Sequence, residues 1–161
     1  MPFSKFYFFI IFVSLTTLSC SIKIPEDVSK EFADINEIID FNYHVKPILS
    51  DRCYQCHGPD EKTRKAGLRL DVESIAFSKL KSGKFAFTSG SLFESEVAHR
   101  ILEENPDFLM PPPEANLRLS NREKAIILKW IDQGAEWKDH WAFIAPKKNK
   151  IPKTTEKLEN F

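Results

Sequence analysis

Apolar residues recur at helical spacing along most of the chain. Phe41, Val45, Ile48 and Leu49 fall at i, i+4, i+7 and i+8 and predict a helix over residues 41–53. Pro47 lacks an N–H and suits a first turn, so the regular part is expected to begin near Val45. A shorter pattern at Ile75, Phe77 and Leu80 predicts a helix over 72–80, ended by Lys81-Ser82-Gly83. Phe93, Val97 and Ile101, with Ala98 and Leu102 beside them, predict a third over 91–104. Ser91 and Glu94 have the spacing of a capping box there, and Pro106 stops the pattern. A fourth helix is expected over 120–133, opened by a second Ser/Glu box at Ser120 and Glu123, with Gly134 at the C-cap. Its Ile126, Ile127, Leu128, Trp130 and Ile131 cover more than half the circumference, so it must pack on two partners at once. No stretch alternates as a strand would and no repeat is visible, so the fold is expected to be all-α.

The two ends read differently from this middle. Residues 6–18 (FYFFIIFVSLTTL) are uncharged and follow Lys5. The stretch is shorter than the roughly 18 residues of a spanning helix but suits the apolar region of a secretory signal. Leu18-Ser19-Cys20 resembles the end of a bacterial lipoprotein signal, with Cys20 lipidated and first in the mature chain. The alternatives are an ordinary cleaved signal, or a short anchor with Cys20 idle. All place the mature chain outside the cytoplasm, and the lipoprotein reading puts it in a bacterial cell envelope, periplasmic or on the outer membrane. A diacyl anchor would hold it firmly to the membrane. Residues 1–20 are thus taken as signal, 21–40 as a polar tether, 41–143 as the domain, and 144–161 as a Lys- and Pro-rich linker or truncated tail.

Composition narrows the function. A chain of 161 residues that is 42% apolar suits one ordinary domain with tails. Lys+Arg and Asp+Glu balance at 23 each, so a broad basic surface for nucleic acid is not expected. No GxGxxG or GxxxxGK[ST] string is present, which sets nucleotide enzymes aside. Three cysteines do not make a secreted disulfide framework.

Cys53-Tyr54-Gln55-Cys56-His57 is C-x-x-C-H, the attachment string of c-type haem. Two thiols at this spacing meet the two vinyl groups on one porphyrin edge, and the next His can turn under the iron. Rival readings are a structural zinc site, a thioredoxin-like pair and a plain disulfide. Zinc wants four ligands, and His44, His99 and His140 are scattered singly. A thioredoxin-like pair expects a βαβ setting, and a disulfide across this spacing would be strained.

Iron held by His57 needs a second axial partner. Apart from Met1, Met110 is the sole methionine, and it sits in the stiff segment Leu109-Met110-Pro111-Pro112-Pro113. Its other role would be to fill a gap in the core. Arg69 is a candidate for the haem propionates, against a reading as solvated loop charge. Trp130 is expected either near the ring or as core filler.

The strings FNYHVKPILSDRCYQCHGPDEKTRKAGLRLD (41–71), LMPPPEANLRLSNREKAIILKWIDQGAEW (109–137) and DHWAF (139–143) resemble the planctomycete-type cytochrome c domain, a branch of the class I cytochromes c. The resemblance implies an all-α, class I cytochrome c-like fold wrapped around one covalent haem c. It implies thioether bonds at Cys53 and Cys56, with His57 as proximal and Met110 as distal ligand. Members of the family are usually followed by large domains in a long envelope protein, and this chain ends inside what reads as the linker. The expected function is an exported monohaem module that carries single electrons to a redox partner protein or fused oxidoreductase domain, without catalysis of its own. The alternative is a haem enzyme or a small-ligand sensor, in which a labile Met110 gives way to peroxide, CO or NO.

Overall fold

The computed structural model describes residues 22–143. The lipidation expected at Cys20, the signal segment and the tail from residue 144 lie outside them. The described residues are helical, with no named strand, only isolated bridges pairing Phe85 with Lys79 and with Ser95. In chain order the helices are α1 (Glu26–Asp34), a π-helical turn (Phe41–Val45), α2 (Lys46–Arg52), α3 (Tyr54–His57), α4 (Glu73–Ala76), α5 (Glu96–Leu102) and α6 (Asn121–Asp132). Two 3₁₀ turns lie at Pro113–Ala115 and Trp141–Phe143. No helix of the described residues is long and apolar enough to cross a membrane.

α6 is the centre of the packing. Its capping box forms as the sequence predicts: Ser120 Oγ accepts from the Glu123 amide at 3.2 Å, and Glu123 Oε2 accepts from the Ser120 amide at 2.7 Å. Such a cap contributes about 1 kcal/mol. Ala125, Ile127, Leu128, Trp130 and Ile131 are all buried, so this helix is covered on several sides. The π-turn and α5 pack on it, and so does α1.

The contact with α1 corrects the tether expected over residues 21–40. Val28, Phe32 and Ile35 lie at i, i+4 and i+7, and this stripe docks on α6, leaving Val28 and Ile35 only 2% exposed. Glu26 and Asp27 favour the helix N-terminus, and Glu26 pairs with Lys30 at 2.8 Å. Lys129 of α6 sits 4.4 Å from the Phe32 ring centroid. Downstream, the Gln133 side chain accepts from the Ile39 amide at 2.8 Å and donates to the Glu37 carbonyl at 3.0 Å. The segment is polar on average, yet its few apolar residues share one face.

The helix expected over 91–104 is shorter at both ends. Glu96 and Val97 amides donate to the carbonyls of Phe85 and Ala86 at 2.9 and 3.1 Å, so the preceding loop satisfies the first turn of α5. Ser91 Oγ does accept from Glu94 N at 3.3 Å, but inside a turn before the helix. Ser95 is fully buried, and its hydroxyl bridges the carbonyls of Ser91 and Thr88 and the Thr88 amide. Phe93 therefore stays outside the core, 48% exposed. The pattern over 72–80 likewise yields only the single turn α4.

Candidate haem site

The C-x-x-C-H string lies at the junction of α2 and α3. The Cys53 amide donates to Leu49 O at 2.9 Å, closing α2, and the His57 amide donates to Cys53 O at 2.8 Å, winding α3. Pro47 occupies the first turn of α2, as its missing N–H requires. Immediately after His57, Gly58 packs against the preceding turn. A Cβ there would stand 2.3 Å from the Tyr54 carbonyl oxygen, so no larger residue fits without moving the backbone that carries both cysteines. The chain then folds back over the motif, with Lys65 N bonded to Cys56 O at 2.7 Å and Leu70 N to His57 O at 2.8 Å. This stretch carries Leu68 and Leu70, which line the same cavity as His57.

Cys53, Cys56, His57 and Met110 all line one cavity of about 310 Å³. That volume lies at the lower end of the roughly 300–1,000 Å³ usual for cofactor sites. Most of its remaining surface is aliphatic, from Leu68, Leu70, Leu80, Ala86, Val97 and Ile101. The structure thus brings together two sequence segments far apart in the chain: the motif, and the loop before the triple proline. Pro112 is extended, and Pro113 opens a 3₁₀ turn, so the proline run is not extended throughout. The Met110–Pro111 bond is cis.

Both cysteines are free. Burial pushes the Cys53 thiol up to about 12, helped by the neighbouring Cys56 and Glu123 and opposed by Arg52. Tyr54, between the cysteines, is also raised to about 12, by burial and by Asp71 and Cys53. Burial lowers His57 below its ordinary value, outweighing the Lys65 backbone, which favours the protonated ring. The neutral ring is the form that offers a lone pair to a metal. Its Nδ1 is buried with no hydrogen-bond partner among the described residues.

Donor chemistry, an aliphatic lining and an orphaned imidazole nitrogen fit a flat apolar macrocycle with an iron centre. Among the described residues no three His, Cys, Asp or Glu side chains gather as a metal cluster. The other histidines lie away from the cavity lining. His44 Nδ1 accepts from the Asp40 amide at 2.9 Å, His99 Nε2 contacts the Phe93 carbonyl at 2.7 Å, and His140 Nδ1 accepts from the Ala142 amide at 3.2 Å.

Two residues for which the sequence left alternatives open lie outside the cavity lining. Arg69 does not line the cavity, because its guanidinium forks onto Asp71, two residues on, with Nε to Oδ1 at 3.1 Å. Trp130 does not line it either. It is 1% exposed in an aromatic cluster, 5.1 Å from Phe87 and 5.5 Å from Phe41 by ring centroids, and its Nε1 donates to Glu136 O at 3.0 Å. The cations that do reach the cavity are Arg52, Lys81 and Arg100. Arg52 precedes the motif directly and could have been proposed from the string. Arg100 had no such signal, since only α5 packing turns it inward.

An all-helical fold that brings a C-x-x-C-H string and a distant methionine to one apolar cavity defines the class of c-type cytochrome domains. The planctomycete cytochrome C family model matches residues 53–114, the stretch that carries Cys53, Cys56, His57 and Met110. No curated protein and no solved structure matches the chain.

Proposed function

We propose that this chain is an exported monohaem cytochrome c module that passes single electrons to a partner in the cell envelope. The observation that carries this reading is the convergence of Cys53, Cys56, His57 and Met110 on one apolar cavity. Cys53 and Cys56 would hold one haem c by thioether bonds, and His57 and Met110 would ligate its iron. When bound, the haem supplies a reversible one-electron couple, and sulfur ligation raises its potential. The protein's own contribution is positional. α3 presents the imidazole, whose burial favours the neutral form, Leu68 and Leu70 give the cavity an apolar lining, and the 103–112 loop offers the thioether. With both His57 and Met110 on the iron, the module would carry electrons rather than do bond chemistry.

Export is supported by the signal-like residues 6–18 and by the typically extracytoplasmic setting of this family. The lipoprotein-like Leu18-Ser19-Cys20 supports a lipid anchor on Cys20. The partner is a redox protein or an oxidoreductase domain fused beyond the linker.

The test is an optical spectrum of protein matured with a c-haem assembly system. Denatured, reduced protein is expected to keep its haem and show the spectrum of two thioether bonds. Cys53→Ala or Cys56→Ala should show one bond, and the ferric protein should show a sulfur-to-iron charge-transfer band that Met110→Ala abolishes. Haem that washes out on denaturation would sink the reading. Met110 is 36% exposed, which gives the sensor alternative a foothold. Rapid CO binding to the ferrous wild type would favour that alternative.

A further inference from the structure

We propose that Arg100 is the positioning residue for Met110, holding the thioether loop over the cavity; this rests on the His57/Met110 reading above. Arg100 grips that loop at three places. Its carbonyl accepts from the Met110 amide at 3.0 Å, its Nη1 donates to the Phe108 carbonyl at 3.3 Å, and its guanidinium carbon lies 5.7 Å from the Phe108 ring centroid. Phe108 is otherwise half exposed, so the loop has little hydrophobic anchorage of its own.

The guanidinium is itself held. Arg100 Nε donates to Glu96 Oε1 at 2.8 Å, one turn earlier on α5, and Lys84 Nζ donates to Glu96 Oε2 at 2.7 Å. The Glu96 side chain is only 12% exposed. Its carboxylate lies below the ordinary Glu range, since Lys84 and Arg100 together outweigh the opposing effect of burial. Glu96 and Arg100 both line the cavity. The planar fork suits this double duty, one edge on a carboxylate and the other on a carbonyl, which a lysine ammonium does not reproduce.

Arg100 bonds the loop that carries Met110, and it acts through that loop. Three matured proteins test it: wild type, Arg100→Ala and Arg100→Lys. A hydrogen bond from a charged donor is worth enough that the sulfur-displaced fraction should rise about tenfold or more in Arg100→Ala. The readouts are a weaker charge-transfer band and faster CO binding to the ferrous form, at unchanged thioether attachment. Arg100→Lys keeps the aliphatic stem, carries the test if the alanine variant does not fold, and should fall between the other two. Variants that fold and keep the wild-type band and CO behaviour would overturn the role of Arg100 and leave Met110 ligation standing. A wild type with no sulfur band would overturn both.

Discussion

Arg52 Nε donates to Glu123 Oε1 at 3.1 Å, which ties the residue directly before the cysteine motif to the N-terminal cap of α6. The other Glu123 oxygen holds the Ser120 amide, so one carboxylate serves both the cap and the cavity rim. Burial raises the pKa of Glu123, but the Ser120 bonds and Arg52 outweigh it, and the net shift is downward.

A definite acid response follows. The folded pKa lies below the unfolded one, so the contribution is complete above the ordinary Glu range. It is lost as pH falls through the lowered folded value. Glu123→Gln should cost on the order of 1 kcal/mol at neutral pH, and its stability should fall less steeply than wild type below about pH 4.5. Urea midpoints measured at several pH values check this. Parallel acid profiles would remove Glu123 as a contributor.

Gly58→Ala should be among the most damaging small substitutions. The added methyl meets backbone, not a flexible side chain, so α3 or the Gly58 turn must shift. A loss of more than about 2 kcal/mol is expected, along with a lower yield of correctly attached haem. Urea unfolding and the denatured-state haem spectrum would show it, and a fully matured variant of wild-type stability would refute it.

α1 is expected to stabilise the domain. Val28→Ala removes two buried carbons and should lower stability by about 2 kcal/mol, from lost transfer energy and the cavity left behind. Lys30→Ala, on the exposed side, should cost less than about 0.5 kcal/mol. Equal small effects in thermal unfolding would mean that the segment behaves as a tether after all.

Arg69→Ala should leave the optical spectrum and reduction potential unchanged, because the guanidinium is committed to Asp71 away from the cavity. Stability should change by no more than about 1 kcal/mol, as for other partly exposed ion pairs. A shifted potential would return Arg69 to the haem environment.

Much of this site was legible in the chain. C-x-x-C-H names its chemistry locally, because two thiols and an imidazole at fixed spacing act as one unit. Met110 could be singled out as the candidate thioether because it has no rival beyond Met1, and it lies on the same cavity as the motif. The α6 cap was equally local, a Ser and a Glu three residues apart that bond to each other's backbone. Other features depend on what a distant segment brings. The α1 stripe of Val28, Phe32 and Ile35 is too sparse to declare a helix until α6 offers it a partner surface. α5 starts at Glu96, and not near Ser91, because loop carbonyls from Phe85 and Ala86 meet its first amides. Arg69 and Arg100 look alike as letters. One is captured by an aspartate two residues away, and the other is turned by its helix onto the methionine loop. Local bonding chemistry can be read from neighbours in sequence, whereas the direction a side chain takes depends on the surfaces that close around it.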